Sequence, residues 1–280
     1  MPPPRRTLDY AYRSHKILPR TDALCYNLVM KTINILGTPF AVLTQNEAID
    51  VLEGFLVEPR NHIIVTPNPE GVMQARRNPD FAEALRMADL SLADGIGIIL
   101  GARILRRKLP GRVRGVDTVF ALFERLERLG RPFTAYFLGG KPGEGDAPSV
   151  AEMAALRMEA RFSHLKVVGI HDGYFSESEE KEIVASINEL SPDILLVCMG
   201  MPRQELWAAR NRNVNARVTM CLGGAMDVMA GSVALAPPLL RKLGLEWLYR
   251  LVRQPSRFKR MLDLPRFVLA VLASAFRRDR

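Results

Sequence analysis

Short apolar segments alternate with longer amphipathic segments along most of this chain, and this alternation is the feature that most restricts its fold. Strands that alternate with helices of about 10 to 15 residues are typical of βαβ units, which build a mostly parallel sheet with helices on both faces. The sequence therefore predicts an α/β fold. The predicted strands are 62–65, 90–93, 133–138, 165–170, 194–198 and 218–222, after a hairpin or one bent strand within 33–43. The predicted helices are 44–58, 69–76, 79–88, 95–107, 116–129, 148–162, 176–190 and 203–212.

The positive charge of the chain is concentrated at its C-terminal end. Residues 241–280 hold eleven Lys and Arg against three acids, a net charge of +8, whereas residues 1–240 carry a net charge of +1. From residue 237 the pattern is helical only, so we expect an N-terminal arm (1–29), an α/β core (30–236) and a basic amphipathic helical appendage (237–280). A basic segment favours anionic partners such as membrane phosphates, a diphosphate or nucleic acid.

The closing apolar run, 267–276, is bracketed by Arg266 and by Arg277 and Arg278. Ten residues are too few to cross a bilayer as a helix, which needs about 20. Such a run with flanking arginines is typical of a helix that lies in an anionic membrane interface, although a helix docked on the core would fit as well. We predict interfacial binding, which would make the protein peripheral. The three cysteines are scattered, which favours a reducing cytoplasmic setting.

Polar residues follow two of the predicted strands at the points where those strands end. Thr66 and Asn68 come after 62–65, and Asp94 comes after 90–93. Ligands of open α/β sheets bind outside the carboxyl ends of the strands, so these three side chains are expected to face one crevice. Turn and helix-cap roles are the alternative, because Thr, Asn and Asp commonly serve them.

Two glycine-rich segments invite comparison with nucleotide-binding loops. Gly95, Gly97 and Gly101 give the spacing GxGxxxG, one residue longer than the dinucleotide fingerprint. The segment 139–141 (Gly-Gly-Lys) lacks the P-loop spacing, but its glycines and lysine suit a phosphate-binding loop. A plain surface turn is the alternative for this second segment.

Paired carboxylates that would ligate a metal are missing from the sequence, since Asp-x-Asp occurs nowhere. A transferase that uses a nucleotide sugar would then need another way to neutralise the leaving diphosphate. Arginine is the natural substitute, because its planar guanidinium matches phosphate oxygens and stays charged. We therefore predict no metal and no cofactor. The candidate arginines are Arg112, Arg114, Arg250, Arg253, Arg257 and Arg260.

An ordered set of motifs resembles the WecG/TagA/CpsF glycosyltransferases, glycosyltransferase family 26. The resemblance covers about residues 30–262 and implies a Rossmann-like core with a C-terminal helical appendage that completes the active site at the membrane. It implies an inverting, metal-independent transfer from a UDP-sugar to an undecaprenyl diphosphate-linked saccharide. The sugar would be N-acetylmannosamine, its uronic acid or glucuronic acid. The motifs are TPNPEGVMQARRNPDF, ADLSLADGIGIILGARIL, LPGRVRGVD, FLGGKPG, HDGYF, MGMPRQE, LGGAMDVMAG and LGLEWLYRLVRQPSRFKR.

The resemblance also implies roles for individual residues. Asp94 corresponds to the proposed general base, and Thr66 and Asn68 to a pair that lines the sugar pocket. Arg112 is similar to an active-site arginine, and Gln204 to a motif glutamine near the nucleotide sugar. The remaining predicted substrate-binding residues are Gly139, Gly140, Lys141, Glu205, Gly223, Gly224 and the appendage arginines Arg250, Arg257 and Arg260.

Two other classes of protein fit parts of the sequence. A nucleotide-binding oxidoreductase with a peripheral-membrane tail would account for the parallel α/β pattern and the glycines at 95–101. A nucleic-acid-binding module would use the basic tail, and it predicts salt-sensitive binding. We expect the transferase, with a UDP-sugar donor, a lipid-linked diphosphate saccharide acceptor and an anionic membrane surface as partners, and no nucleic acid. The expected location is the inner face of the cytoplasmic membrane, and a homo-oligomer is left open.

Overall fold

The computed structural model describes residues 30–237, 239–240, 244–253 and 258–278. The predicted N-terminal arm therefore lies outside the described residues. So does Arg257, together with the side chains of Arg250 and Arg260.

A six-stranded sheet forms the centre of the molecule, and every neighbouring pair of its strands is parallel. The predicted α/β class is thereby confirmed. A separate antiparallel hairpin precedes this sheet, which decides between the two expectations for 33–43. The hairpin strands are β1 (Thr32–Ile35) and β2 (Thr38–Ala41). The sheet has the order β4-β3-β8-β7-β5-β6, with β3 (His62–Val65), β4 (Leu90–Ser91), β5 (Phe133–Gly139), β6 (Leu165–His171), β7 (Ile194–Cys198) and β8 (Val218–Cys221).

Helices cover both faces of the sheet because both faces are apolar. In β7 all five residues are buried, and Ile194 and Leu196 enter one core while Leu195 and Val197 enter another. This division follows the two-residue period of a strand, which turns successive side chains to opposite faces. A strand that is buried on both sides consists of an uninterrupted run of apolar residues. This pattern predicts the strands from the sequence.

Side-chain caps fix where several helices begin. Thr44, Ser149 and Ser176 each accept a hydrogen bond from the backbone of the third helical residue, whose glutamate side chain accepts one in return. The helices are α1 (Gln45–Phe55), α2 (Pro69–Ala75), α3 (Pro79–Met87), α4 (Ile96–Ile104), α5 (Gly115–Arg128), α6 (Val150–Arg161), α7 (Glu177–Leu190), α8 (Arg203–Arg210), α9 (Ala225–Met229), α10 (Glu246–Arg253), α11 (Phe258–Met261) and α12 (Asp263–Arg278).

The last helix packs on the body of the molecule through one of its faces. Phe267 and Val271 are fully buried in a third core that includes residues of α2, α4 and the hairpin. Asp263, at the start of α12, accepts two hydrogen bonds from Arg77, at 2.9 and 2.7 Å. The appendage therefore contributes to the core, in addition to any surface role.

The helix α12 begins at Asp263 and runs through Pro265. Pro265 is the third residue of the helix. The first four backbone N–H groups of a helix have no partner within it, so a proline there removes no hydrogen bond. Within the described ranges, no helix is both long enough and apolar enough to span a bilayer.

Candidate active site

A cavity of about 360 Å³ lies at the edge of the sheet where β3 and β4 end. The segments that follow β3 and β4, the first turn of α2 and residues 112–117 supply most of its polar side. Residues from α10 to α12 supply much of the opposite, apolar side. Since the carboxyl ends of parallel strands are the usual ligand-binding edge of an α/β sheet, this cavity is the candidate active site. Its polar lining residues are Asn68, Glu70, Asp94, Arg112, Arg114, Asp117 and Glu246.

Two of the three predicted strand-end residues line this cavity. Asp94 and Asn68 are both half-buried there. Asn68 is also the N-cap of α2, because its side-chain oxygen accepts a hydrogen bond from Gly71 N at 3.0 Å. Thr66 stands nearby at the end of β3 and donates from Oγ1 to the carbonyl of Cys221 at 3.1 Å, which ties β3 to β8. Asn68 is therefore both the N-cap residue of α2 and a lining residue of the cavity.

Two arginines enter the cavity from the segment that leads into α5. Arg112 Nη1 lies 3.6 Å from a carboxylate oxygen of Glu246, and Arg114 forms ion pairs with Glu246 and with Asp117. The side chains of Arg112 and Arg114 are only 18% and 20% exposed, so water screens these contacts less than it screens a surface pair. Glu246 is thus the point at which α10 is fixed to the cavity.

The described lining of the cavity is more acidic than basic. Its four carboxylates, those of Glu70, Asp94, Asp117 and Glu246, face two arginines. Carboxylates and a diphosphate carry like charges, which repel each other in a partly buried site. A diphosphate that binds here therefore needs cationic partners, and Arg112 and Arg114 are the described lining residues of that charge.

Gln204 joins the ends of β7 and β8. Its side-chain oxygen accepts hydrogen bonds from Gly200 N at 3.1 Å and from Gly223 N at 2.9 Å, and its side-chain amide donates to Glu205 at 2.8 Å. Gln204 and Glu205 are each only 2% exposed, and burial raises the pKa of Glu205 to about 7. Both side chains therefore lie beneath the strand-end loops. Gly224 follows as the N-cap residue of α9.

The glycine–lysine segment lies farther along the same edge of the sheet. β5 is four strands away from β4, which places Gly139 about 19 Å from the end of β4 at about 4.8 Å per strand. Gly139 has φ +140°, and a Cβ there would lie 2.4 Å from the carbonyl oxygen of Cys198. Gly140 donates its N–H to that same carbonyl at 3.2 Å, while Lys141 is exposed. Close packing of neighbouring loops thus accounts for both glycines.

The GxGxxxG segment is also explained by packing. A Cβ on Gly97 would lie 2.5 Å from the ring of Pro69, and one on Gly101 would lie 2.8 Å from the ring of Phe267. Gly95 adopts φ +91°, a left-handed conformation that favours glycine, immediately before α4. These glycines let α4 approach α2 and α12 closely, so the oxidoreductase alternative loses its main motif and is not favoured.

Neither a metal site nor a reactive thiol is found among the residues that the structure describes. No group of three or more His, Cys, Asp or Glu side chains there is arranged to hold a metal ion. Cys198 and Cys221 are free and fully buried, and burial raises the pKa of the Cys198 thiol to about 12. Metal independence stays a prediction about the reaction, for which activity after removal of divalent cations is the test.

Sequence reasoning overlooked several residues of the cavity. The sequence predicts Arg114 only as one of several candidate arginines, and it does not predict Glu246, Asp117 or Glu70 as site residues. Glu246 carried a usable signal, because it is one of only three acids in the basic segment 241–280. Its partners, however, lie more than 130 positions earlier in the chain, and no local pattern indicates such a pairing.

Comparison with known proteins identifies a family that this chain matches. The profile of the glycosyl transferase WecG/TagA/CpsF family matches residues 33–280. One relative is an N-acetylglucosaminyldiphosphoundecaprenol N-acetyl-beta-D-mannosaminyltransferase from Bacillus spizizenii, 32% identical over 78% of this chain and 81% of its own length. A protein of the same description from Bacillus subtilis is 30% identical over 87% of this chain and 92% of its own length.

Proposed function

Since this chain belongs to the WecG/TagA/CpsF glycosyl transferase family, we propose that it transfers a sugar from a UDP-sugar to an undecaprenyl diphosphate-linked saccharide during the synthesis of a cell-surface polymer. The descriptions of the two relatives favour N-acetylmannosamine as the sugar and an N-acetylglucosamine diphosphate lipid as the acceptor. N-acetylmannosaminuronic acid and glucuronic acid are the other donor sugars to be tested. The observation that carries the proposal is the position of Asp94, with Asn68 and Arg112, on one cavity at the ligand-binding edge of the sheet.

Asp94 is the proposed general base. It would take the proton from the acceptor hydroxyl as that oxygen attacks the anomeric carbon of the donor sugar, and the bond to UDP would break in the same step. A single displacement of this kind inverts the anomeric configuration. A positioned general base contributes about 10²- to 10⁴-fold in rate. Asn68 and Thr66 would hold the sugar, and the N-cap bond of Asn68 keeps its side chain fixed for that task.

The donor would lie along the row of strand ends. Its sugar would face Asp94 beside β4, and its nucleotide would extend past Gly223 and Gly224 toward the loop at 139–141. The separation of about 19 Å between the ends of β4 and β5 suits an extended nucleotide sugar better than a compact ligand. Gln204 and Glu205 support this row from below, because the bridge from Gln204 to two glycine N–H groups fixes both loops.

The arginines of the appendage are the proposed counter-charge for the diphosphates. Arg250, Arg257 and Arg260 belong to the basic segment 241–280, and described residues of that segment, among them Glu246 and Trp247, line the cavity. Arginines in these positions would stabilise the departing UDP without a metal, because they offer fixed positive charge to a developing anion. Replacing all three by Gln should lower turnover at least 100-fold, whereas Arg128→Gln on the opposite part of the body should leave turnover unchanged.

The exposed face of α12 is the proposed membrane contact. Leu269 and Phe276 are 66% and 73% exposed although the opposite face of the same helix is buried. Arg266 and Arg277 flank this face, and each could add about 1 kcal/mol of attraction to anionic headgroups. Docking on the core and contact with the membrane are therefore compatible, since they use opposite faces. This arrangement supports peripheral membrane contact, and the inner face of the cytoplasmic membrane is the location that we propose for it.

A donor screen with detection of released UDP tests the proposed function. The full-length protein is mixed with a prenyl diphosphate N-acetylglucosamine acceptor and with UDP-N-acetylmannosamine, UDP-N-acetylmannosaminuronic acid or UDP-glucuronic acid in turn. We expect acceptor-dependent UDP release with one of the three donors. Equal release with and without acceptor for every donor would contradict a transferase of this class, and binding of NAD would revive the oxidoreductase alternative.

A further inference from the structure

The cavity has two chemically different sides. Charged and amide side chains come mainly from the strand ends and the start of α5, and Glu246 of α10 is the charged lining residue from the appendage. The opposite wall is apolar and comes mainly from α4 and from the appendage. Its apolar residues include Ile96, Leu100, Trp247, Met261, Leu264, Phe267 and Val268. A cavity with such a division suits an amphiphile that has a polar head and an apolar tail.

Three large residues form the lip of the apolar wall. Leu100 of α4, Trp247 of α10 and Val268 of α12 all line the cavity, yet they remain 44%, 38% and 40% exposed. Three different helices therefore bring large apolar side chains to one rim. Leu269 and Leu272 continue the exposed apolar surface outward along α12, at 66% and 37% exposure. An apolar path thus leads from the cavity to the surface that we assign to the membrane.

We propose that Leu100, Trp247 and Val268 form a subsite for the first isoprene units of a polyprenyl diphosphate acceptor, an inference that rests on the proposed function. The diphosphate and its sugar would enter the polar side of the cavity, and the prenyl chain would leave over the lip toward the bilayer. The subsite thereby orients the acceptor, because a chain held on one side of the cavity leaves the sugar hydroxyl on the side of Asp94.

The apolar wall suits a prenyl chain better than it suits the nucleotide of the UDP-sugar. Uracil and ribose present hydrogen-bonding groups, and burying these against apolar side chains without partners is costly. A prenyl chain has no such groups, and it gains free energy for each apolar carbon that leaves water. The relatives, by their descriptions, act on diphosphoundecaprenol, which is a lipid of this kind.

A series of acceptors with prenyl chains of different length tests the subsite in the absence of a membrane. N-acetylglucosamine diphosphates that carry one, two or three isoprene units are assayed below their micelle-forming concentrations, without lipid or detergent. We expect the acceptor KM to fall about tenfold from one to three units, equivalent to about 1.4 kcal/mol of added contact. Leu100→Gln should reduce this dependence to less than threefold. Leu156→Gln is the matched control, since Leu156 is exposed on α6 and does not line the cavity, and it should keep the full dependence on chain length.

Tryptophan fluorescence gives a second readout that does not depend on turnover. Trp207 is 1% exposed and Trp247 is 38% exposed, so a change in emission on ligand binding reports Trp247. Farnesyl diphosphate should shift the emission to the blue, inorganic diphosphate should not, and Trp247→Phe should abolish the shift.

The two assays separate failure of the subsite from failure of the proposed function. An acceptor KM that is independent of chain length in the wild type, or a chain-length dependence that Leu100→Gln retains, overturns the subsite while transfer itself stands. Absence of turnover with every acceptor contradicts the proposed function instead. In that case the tryptophan fluorescence still tests the subsite, and an emission that farnesyl diphosphate leaves unchanged overturns it.

Discussion

The contact between Gly101 and Phe267 offers a quantitative test of how the appendage is docked. The ring of Phe267 is 1% exposed and lies so close to α4 that a Cβ on Gly101 would be 2.8 Å from it. Phe267→Ala should lower the free energy of unfolding by about 3–5 kcal/mol, since it removes a buried ring and leaves a void. The same substitution should also lower transferase activity, because Phe267 lines the cavity.

Gly101→Ala should destabilise the wild-type protein and stabilise the Phe267→Ala variant. In the wild type the added methyl group meets the ring, and an overpacking cost of about 1–3 kcal/mol exceeds the gain of about 1 kcal/mol in helix propensity. The net effect is a loss of about 1 kcal/mol. In the Phe267→Ala background the methyl group enters the void, and only the gain of about 1 kcal/mol remains.

Urea unfolding of the four proteins completes this double-mutant cycle. The expected coupling free energy between positions 101 and 267 is about 2 kcal/mol. If Gly101→Ala destabilises both backgrounds equally, the ring of Phe267 does not rest on Gly101 and the docking of α12 described above is wrong.

Two further predictions concern carboxyl groups. Glu205 has a pKa raised by burial to about 7, so the folded state keeps a proton that the unfolded state loses above its value of 4.5. Stability should therefore fall as pH rises from 4.5 to 7, by about 3 kcal/mol at most. Glu205→Gln should abolish this slope, and urea unfolding at pH 5 and pH 8 measures it; a slope that persists in the variant would assign it to another group. Glu246→Gln should lower the KM for the UDP-sugar about fivefold, because a carboxylate no longer competes for Arg112 and Arg114. A higher KM in that variant would show instead that Glu246 holds the arginines in their binding positions.

Most of the fold follows from local patterns in the sequence. The strand 194–198 was predicted with its observed bounds, because a strand buried on both faces consists entirely of apolar residues. The capping boxes at Thr44 and Ser176 contain their own hydrogen-bonding partners three residues later, so helix starts at these positions are also local information. The start of α12 is harder to predict, because a proline such as Pro265 is compatible with the first turn of a helix but disrupts a later turn.

The candidate site was less predictable, because its contacts join distant parts of the chain. Asp94 and Asn68 could be anticipated, since strand ends in an α/β sheet share one edge. The pairing of Glu246 with Arg112 and Arg114 could not, because it depends on how the appendage docks. Local spacing also fails to predict the role of Gly97 and Gly101. Their spacing resembles that of a nucleotide-binding loop, whereas in the structure they contact Pro69 and Phe267.

The most direct test of the proposed mechanism is the Asp94→Asn variant, assayed for transfer and for donor binding in parallel. Asparagine keeps the size of the side chain but cannot accept the acceptor's proton, so turnover should fall at least 100-fold. The dissociation constant of the UDP-sugar, measured by calorimetry, should stay within about twofold of the wild-type value, because the role assigned to Asp94 is proton transfer. Full turnover by Asp94→Asn would remove Asp94 from the mechanism, and with it the assignment of this cavity as the site of transfer.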